Sequence, residues 1–292
     1  MLASMRHLAR LRSGLLAPPA VRRMTNPTTR ASHEWTLLFM HIPKTAGSSV
    51  RRALEPFYEP SERLYLYDPA SLDGAIRWRD FPALPEPTRA NLRFVMGHFK
   101  YGLHEQVPGR ARYATVVRDA VDRVVSLYSH YRDMARPDEA TQTTNEQRLI
   151  REQQMSLGEW VFGLERVQAD NAMVRSISGR PSIAFGACPD DMLGEAIEHI
   201  EEHFELVLVQ EWLNRSAGRL ASTLGVERVH VPRDNVNESR EELARVDVAT
   251  LDRILELNHL DHQLHQHVRK WFSDARESSA RRTVSNLSSV VR

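Results

Sequence analysis

Four near-continuous apolar runs mark the chain, at 35–41 (WTLLFMH), 92–97 (LRFVMG), 112–117 (RYATVV) and 205–210 (ELVLVQ), with a weaker fifth at 63–67. Runs without strict alternation predict strands covered on both faces, as in a largely parallel sheet. Helical spacing of apolar residues follows several of them, at 48–57, 120–134, 147–164, 170–177, 189–203, 213–224 and 238–271, the last with a break near Asn258. Strand, turn and helix in repetition predict an α/β fold of three layers, with a mainly parallel central sheet flanked by helices. Pro82, Pro85, Pro87 and Pro108 punctuate loops, and no internal repeat is visible.

The two ends break this pattern. The first 33 residues carry six arginines, no acid and the pair Pro18 and Pro19. That is the composition of a transit peptide or of a flexible leader, and Met24 could itself be a start. From residue 276 the chain is Ser/Arg-rich and aperiodic, as in a frayed tail. The expected organisation is a leader at 1–33, one domain at 34–275 and a tail at 276–292.

Length and composition narrow the class. A chain of 292 residues, 41% hydrophobic and 26% charged, can bury a real core, which excludes wholesale disorder. No apolar run approaches the roughly 18 residues of a membrane helix. Cys188 is the one cysteine, so neither an internal disulfide nor a cysteine-based zinc site is expected. These features suggest a cytoplasmic protein with no membrane span and no nucleic-acid partner. The net charge of +1 conceals a skew, because the predicted domain alone holds 29 basic and 37 acidic residues. A negative body attracts an anionic ligand poorly at long range, so binding must rest on local geometry and a few directed cations. Lysine is scarce: Lys44, Lys100 and Lys270 stand against 36 arginines.

One of those lysines sits in the most informative segment, HIPKTAGSSV at 41–50. A buried strand ends at His41, Pro43 forces a turn, and Lys44, Thr45, Ala46, Gly47, Ser48 and Ser49 lead straight into a helix. Small residues permit close backbone approach, and amides at a helix start point outward with the positive end of the dipole behind them. Were the serines alone present, a simple helix cap would explain them; the lysine makes the loop an anion site of the phosphate type. It is not a Walker A loop, since its lysine precedes the glycine, and no acidic strand end completes a magnesium site.

A second site of this kind follows the run at 112–117. Arg118 ends that strand, and Asp119 is placed to cap the next helix. Val121, Val124, Val125 and Tyr128 form a stripe expected to face the sheet, while Arg123, Ser126 and His130 share the opposite face. There Arg123 and His130 read as solvated, and Arg118 with Ser126 as a pair able to hold one phosphate. Between the two anion motifs lies Gly97-His98-Phe99-Lys100-Tyr101, in which His98 follows a strand's carboxyl end, where ligands gather in open α/β sheets. Histidine can accept a hydroxyl proton near neutral pH.

In this order PKTAGSS, GHF and RDAVDRVVSLY resemble the sulfotransferases that use 3′-phosphoadenosine 5′-phosphosulfate (PAPS), in particular the branch of heparan sulfate 2-O-sulfotransferase and its bacterial relatives. The likeness is close over about residues 37–131 and looser to about 240. It implies a P-loop-like fold and a donor site in which Lys44 and the backbone of Thr45 to Ser49 hold the 5′-phosphosulfate. Arg118 and Ser126, eight residues apart as in the family, would hold the 3′-phosphate, with Arg240 in a closing loop. His98 would be the base, Lys44 would support the leaving group, and the product would be adenosine 3′,5′-bisphosphate (PAP), with no metal required. Ala120 replaces the proline usual in relatives, which loosens the helix start without removing a ligand contact.

The acceptor is expected to be a hydroxyl compound, a carbohydrate or small molecule, contacted by Tyr101, His104, His130, Asn171 and Arg175. Two other readings stay open at this stage: an ATP-dependent P-loop phosphotransferase, and a non-catalytic protein that keeps a PAP/PAPS site. His262 and His265 have spacing for a metal pair, but no accompanying carboxylate signature supports one.

Overall fold

The computed structural model describes residues 30–133, 149–150, 152–232 and 246–272. Among these, five strands form one sheet: β1 (Thr36–Met40), β2 (Arg63–Leu66), β3 (Phe94–Gly97), β4 (Ala111–Val117) and β5 (Phe204–Val209). Their order is β2-β3-β1-β4-β5 and every pairing is parallel. All five apolar runs are therefore strands. The helices are α1 (Gly47–Leu54), α2 (Glu86–Ala90), α3 (Ala120–Asp133), α4 (Leu157–Gly163), α5 (Ala172–Ile177), α6 (Asp191–His203), α7 (Ala217–Leu224), α8 (Val248–Leu257) and α9 (259–272). This is the α/β, P-loop-like architecture expected from the sequence.

Both sheet faces are covered, which is why the strands read as continuous apolar runs. One face, with Leu38, Met40, Val95, Val117 and Val207, packs against Met173 and Ile177 of α5, Met192 and Ala196 of α6, and Leu264 and Val268 of α9. The other, with Leu37, Phe39, Phe94, Met96 and Leu208, packs against Val50 and Leu54 of α1 and Leu220 and Leu224 of α7.

The helix predicted at 48–57 changes pitch at Glu55–Phe57, where Pro56 lies in a 3-10 turn. The stripe on α3 differs more. Val124, Val125 and Tyr128 do not face the sheet; they join Trp160 of α4 and Ile254 of α8 in a separate cluster. Periodicity locates an apolar face but not its partner. The break near Asn258 is real: its Nδ2 donates to the carbonyls of Ala169 (2.6 Å) and Ile254 (2.9 Å), and its Oδ1 accepts from Asn171 N (3.1 Å). The starts of the helices predicted at 147 and 238 lie outside the described residues, as does Arg240.

Candidate active site

Strand order brings the three motifs together. β1 lies between β3 and β4, and the chain leaves β1 toward the β3 side before returning to β4 on the other. The loop after β1 is thus flanked by the loops after β3 and β4 at the switch point, where an open α/β sheet forms its ligand crevice.

In the loop after β1, Lys44 and Ala46 adopt left-handed backbone with φ of 69° and 68°. For residues with a Cβ such conformations cost roughly 1–3 kcal/mol each and cluster at binding sites. Left-handed residues interleaved with others shape a concave row of backbone amides, an arrangement that holds anions. Thr45 fixes the turn, its Oγ1 donating to Ile42 O at 2.8 Å. Helix α1 starts after Ala46 with no side-chain cap and no acid in its first turn, so neither Ser48 nor Ser49 serves as its N-cap. Its first amides are left to a ligand or water. Gly47 is required by packing: a Cβ there would fall 1.9 Å from Cδ2 of His41.

Arg118 braces this loop from β4. Its Nη1 donates to the carbonyl of Lys44 at 3.0 Å, its backbone N–H points at Met173 Sδ, 3.4 Å away, and its buried Nε has no partner. Burial lowers its pKa, opposed by the nearby carboxylates Asp122, Glu211 and Asp119. A buried guanidinium with a spare donor beside uncapped helix amides fits an anionic group such as the phosphates of PAPS. Asp119 caps α3, its Oδ1 accepting from Val121 N (3.0 Å) and Asp122 N (3.1 Å). Ser126 is half-buried on α3, one turn beyond Arg123.

On the other flank three rings from adjacent strand ends close into a triangle, since the Tyr67 and His41 ring centroids are themselves only 5.7 Å apart. Leu66 is in register with Gly97, and Gly97 with Met40, so Tyr67, His98 and His41 follow at one level. The His98 ring centroid lies 4.7 Å from Tyr67 and 4.9 Å from His41, about one strand spacing each. Tyr67 Oη and His41 Nδ1 are hydrogen-bonded at 2.8 Å. Burial holds the His41 pKa well below the usual range, helped by His98, Arg51 and Lys44. His98 opens to solvent on one side, yet the protein packed around the rest of the ring, with the Lys100 ammonium, pushes it down to about 4. Both imidazoles are neutral at pH 7, and His98 has the protonation state a base requires. Lys100 itself is lowered to about 8 by burial and by Arg123 and Arg175, and its Nζ donates to Ser176 Oγ at 2.8 Å.

Sequence reasoning missed His41 and Tyr67. Each ends a predicted strand, but only the strand order makes them neighbours of His98.

Several expected acceptor contacts lie elsewhere. Tyr101 stacks on His199 at 3.5 Å, and His104 Nδ1 meets Tyr113 Oη at 3.0 Å. Tyr113 is five residues before Arg118, roughly 16 Å down β4, because the chain after His98 turns back to start β4 at the sheet's amino end. Asn171 and Arg175 are buried and occupied. Asn171 Oδ1 accepts from the amides of Leu260 (3.0 Å) and Asp261 (3.1 Å), and Arg175 pairs with Asp170 and donates to Ala184 O (2.9 Å). Arg123 is not solvated either. It is fully buried, 3.8 Å from Asp261, whose carboxylate accepts from Met173 N (3.1 Å) and Val174 N (2.8 Å) at the start of α5. His130 is half-buried near the end of α3. His265 pairs with Glu211 (3.2 Å), and no group of three or more possible metal ligands occurs among the described residues. Nor is any described helix long and apolar enough to cross a membrane.

Comparison with known proteins places these features in context. A mouse sulfotransferase, SULT7A1, solved in complex with PAP, aligns with TM-score 0.35 and 15% identity, over 75% of this chain and 65% of that one. A sulfotransferase from Alicyclobacillus acidocaldarius aligns with TM-score 0.34 and 15% identity, over 78% of this chain and 96% of that one. No curated protein matches the chain by sequence. The sequence profile of the galactose-3-O-sulfotransferases matches residues 3–291, where the motifs alone had suggested the heparan sulfate 2-O branch. Since that match spans nearly the whole chain, the protein belongs to the galactose-3-O-sulfotransferase family.

Proposed function

We propose that the protein is a PAPS-dependent sulfotransferase acting on an acceptor hydroxyl, with His98 as the base. The observation that carries this reading is the bond from Arg118 to the Lys44 carbonyl, which joins the two motifs expected to bind anions beside the ring cluster of Tyr67, His98 and His41. PAPS, when bound, supplies an activated sulfuryl group on a good leaving group. Lys44 and the loop amides from Thr45 to Ser49 would hold its phosphosulfate end, and Arg118 with Ser126 its 3′-phosphate.

Within that arrangement the chain's own groups divide the work. His98, neutral at pH 7, takes the acceptor's hydroxyl proton. His41 and Tyr67 fix the base: their mutual hydrogen bond locks both rings, and His98 packs against each. Lys44 and the uncapped amides of α1 stabilise negative charge that develops on the departing side. The family membership supports the transferase activity, and the orphaned Arg118 Nε supports a phosphate-bearing donor.

A thermal-shift series with PAPS, PAP, AMP and ATP, with and without EDTA, tests the donor. Stabilisation by PAP exceeding that by AMP, unchanged in EDTA, is expected. A response to ATP and magnesium alone would replace this reading with a phosphotransferase.

A further inference from the structure

Beside His98 the surface opens into a cavity of about 260 Å³. Its walls are Tyr67 and Asp68 from the end of β2, Arg77, Trp78 and Arg79 from the segment that follows, and His98 itself. This wall is fixed. Ile76 N donates to Tyr65 O at 3.0 Å, and the 3-10 helix Trp78–Ala83 is anchored by Phe81, which is fully buried in the core. A second cavity, about 390 Å³, lies along edge strand β5 beside Arg219 and Trp271, and no residue of the donor site lines it.

We propose that the cavity at His98 is the acceptor pocket and that it selects an anionic glycoside: one sugar ring carrying a carboxylate or sulfate close to the hydroxyl that reacts. This rests on the reading of the protein as a PAPS-dependent sulfotransferase. Trp78 is half-buried, so its ring is held and offers a flat apolar surface to the C–H face of a sugar. Arg79 Cζ lies 5.6 Å from the Trp78 ring centroid, which keeps that guanidinium beside the platform, and the exposed Arg77 precedes it. Guanidinium forks match carboxylate and sulfate oxygens bidentately. Against these two cations stands Asp68, whose Oδ1 already accepts from Ala70 N at 3.0 Å. The pocket is therefore net positive on a domain with 29 basic and 37 acidic residues. Its volume is just below the roughly 300–1,000 Å³ of typical ligand pockets, enough for one ring in contact with the wall.

His98 is shared between this pocket and the transfer step. The acceptor O–H proton passes to His98, the acceptor oxygen forms a bond to sulfur, and the sulfur bond to the bridging oxygen breaks, its electron pair leaving with PAP.

The test uses the full chain saturated with PAP and three probes, the p-nitrophenyl glycosides of β-galactose, β-glucuronic acid and 6-sulfo-β-galactose. Binding is read by calorimetry, and turnover with PAPS by ³⁵S transfer. The charged glycosides are expected to bind at least tenfold more tightly than neutral galactoside, and their ratio separates carboxylate from sulfate preference. Arg77→Gln with Arg79→Gln should lower the affinity for both charged probes at least tenfold and so remove their advantage over the neutral galactoside. Trp78→Ala should weaken all three about tenfold, with the PAP dissociation constant unaltered. Binding of galactoside as tight as that of the charged probes, absence of charged-probe binding to PAP-saturated protein, or insensitivity to these variants would each overturn the proposal. Such a result with PAP still bound leaves the donor reading intact; loss of the PAP response would instead remove the premise.

Discussion

The guanidinium of Arg118 reaches across from the end of β4 and donates to the carbonyl of Lys44 at 3.0 Å. The cation expected from the sequence to bind ligand braces a loop whose Lys44 is held in left-handed backbone, and the proposed function gives it the second role of a phosphate contact. Arg118→Ala removes both roles. Each charge-assisted hydrogen bond contributes roughly 1.5–3 kcal/mol, so PAP affinity should fall about 10- to 150-fold, as measured by calorimetry. Arg118→Lys should not restore it, because an ammonium cannot fork toward a carbonyl and a phosphate together.

Gly47→Ala sets packing against propensity. Alanine in a helix is favoured over glycine by about 1 kcal/mol, yet here its methyl would meet the His41 ring. Overpacking of this kind costs about 1–3 kcal/mol, so urea denaturation should show a less stable protein, and turnover should fall as the ring beside His98 is displaced.

With His98 lowered to about 4, kcat/KM should rise with pH through an acid limb near that value and then level off. The corresponding limb in kcat should lie higher, since a bound anionic donor favours the imidazolium. His98→Ala should lower kcat by about 10²- to 10⁴-fold while PAP binding persists. Single-turnover rates in the variant that match wild type would remove His98 as base.

The same two histidines link stability to acidity. Both His41 and His98 have folded pKa values below the ordinary 6.5, so the unfolded chain binds more protons below that pH. Their contribution is complete above about pH 6.5 and is lost as pH falls toward the folded values. Melting temperature should fall from pH 7 to pH 5, and less steeply in His41→Gln than in wild type.

Asp261 accepts from the first amides of α5 and faces the buried Arg123. Removing one charge strands the other, so Asp261→Ala should cost about 3–5 kcal/mol in chemical denaturation. Arg123→Met in the same chain should recover part of that loss.

The five strands and the cap by Asp119 were legible in the sequence because each is local: an apolar run, or an arginine followed by a capping aspartate at a helix start. Side chains whose partners lie far along the chain were misplaced for the complementary reason. Arg123 meets Asp261 and Asn258 more than 130 residues away, Asn171 caps α9, and Tyr101 and His104 turn back beneath the sheet. No spacing rule encodes such pairings. The site itself lies between these cases. The sequence determined that strands ending in His41, Tyr67, His98 and Arg118 would form, whereas the order β2-β3-β1-β4-β5 decided that their ends stand side by side. Strand identity follows from local hydrophobic pattern, but adjacency in a parallel sheet is settled by how the crossover helices pack on its two faces.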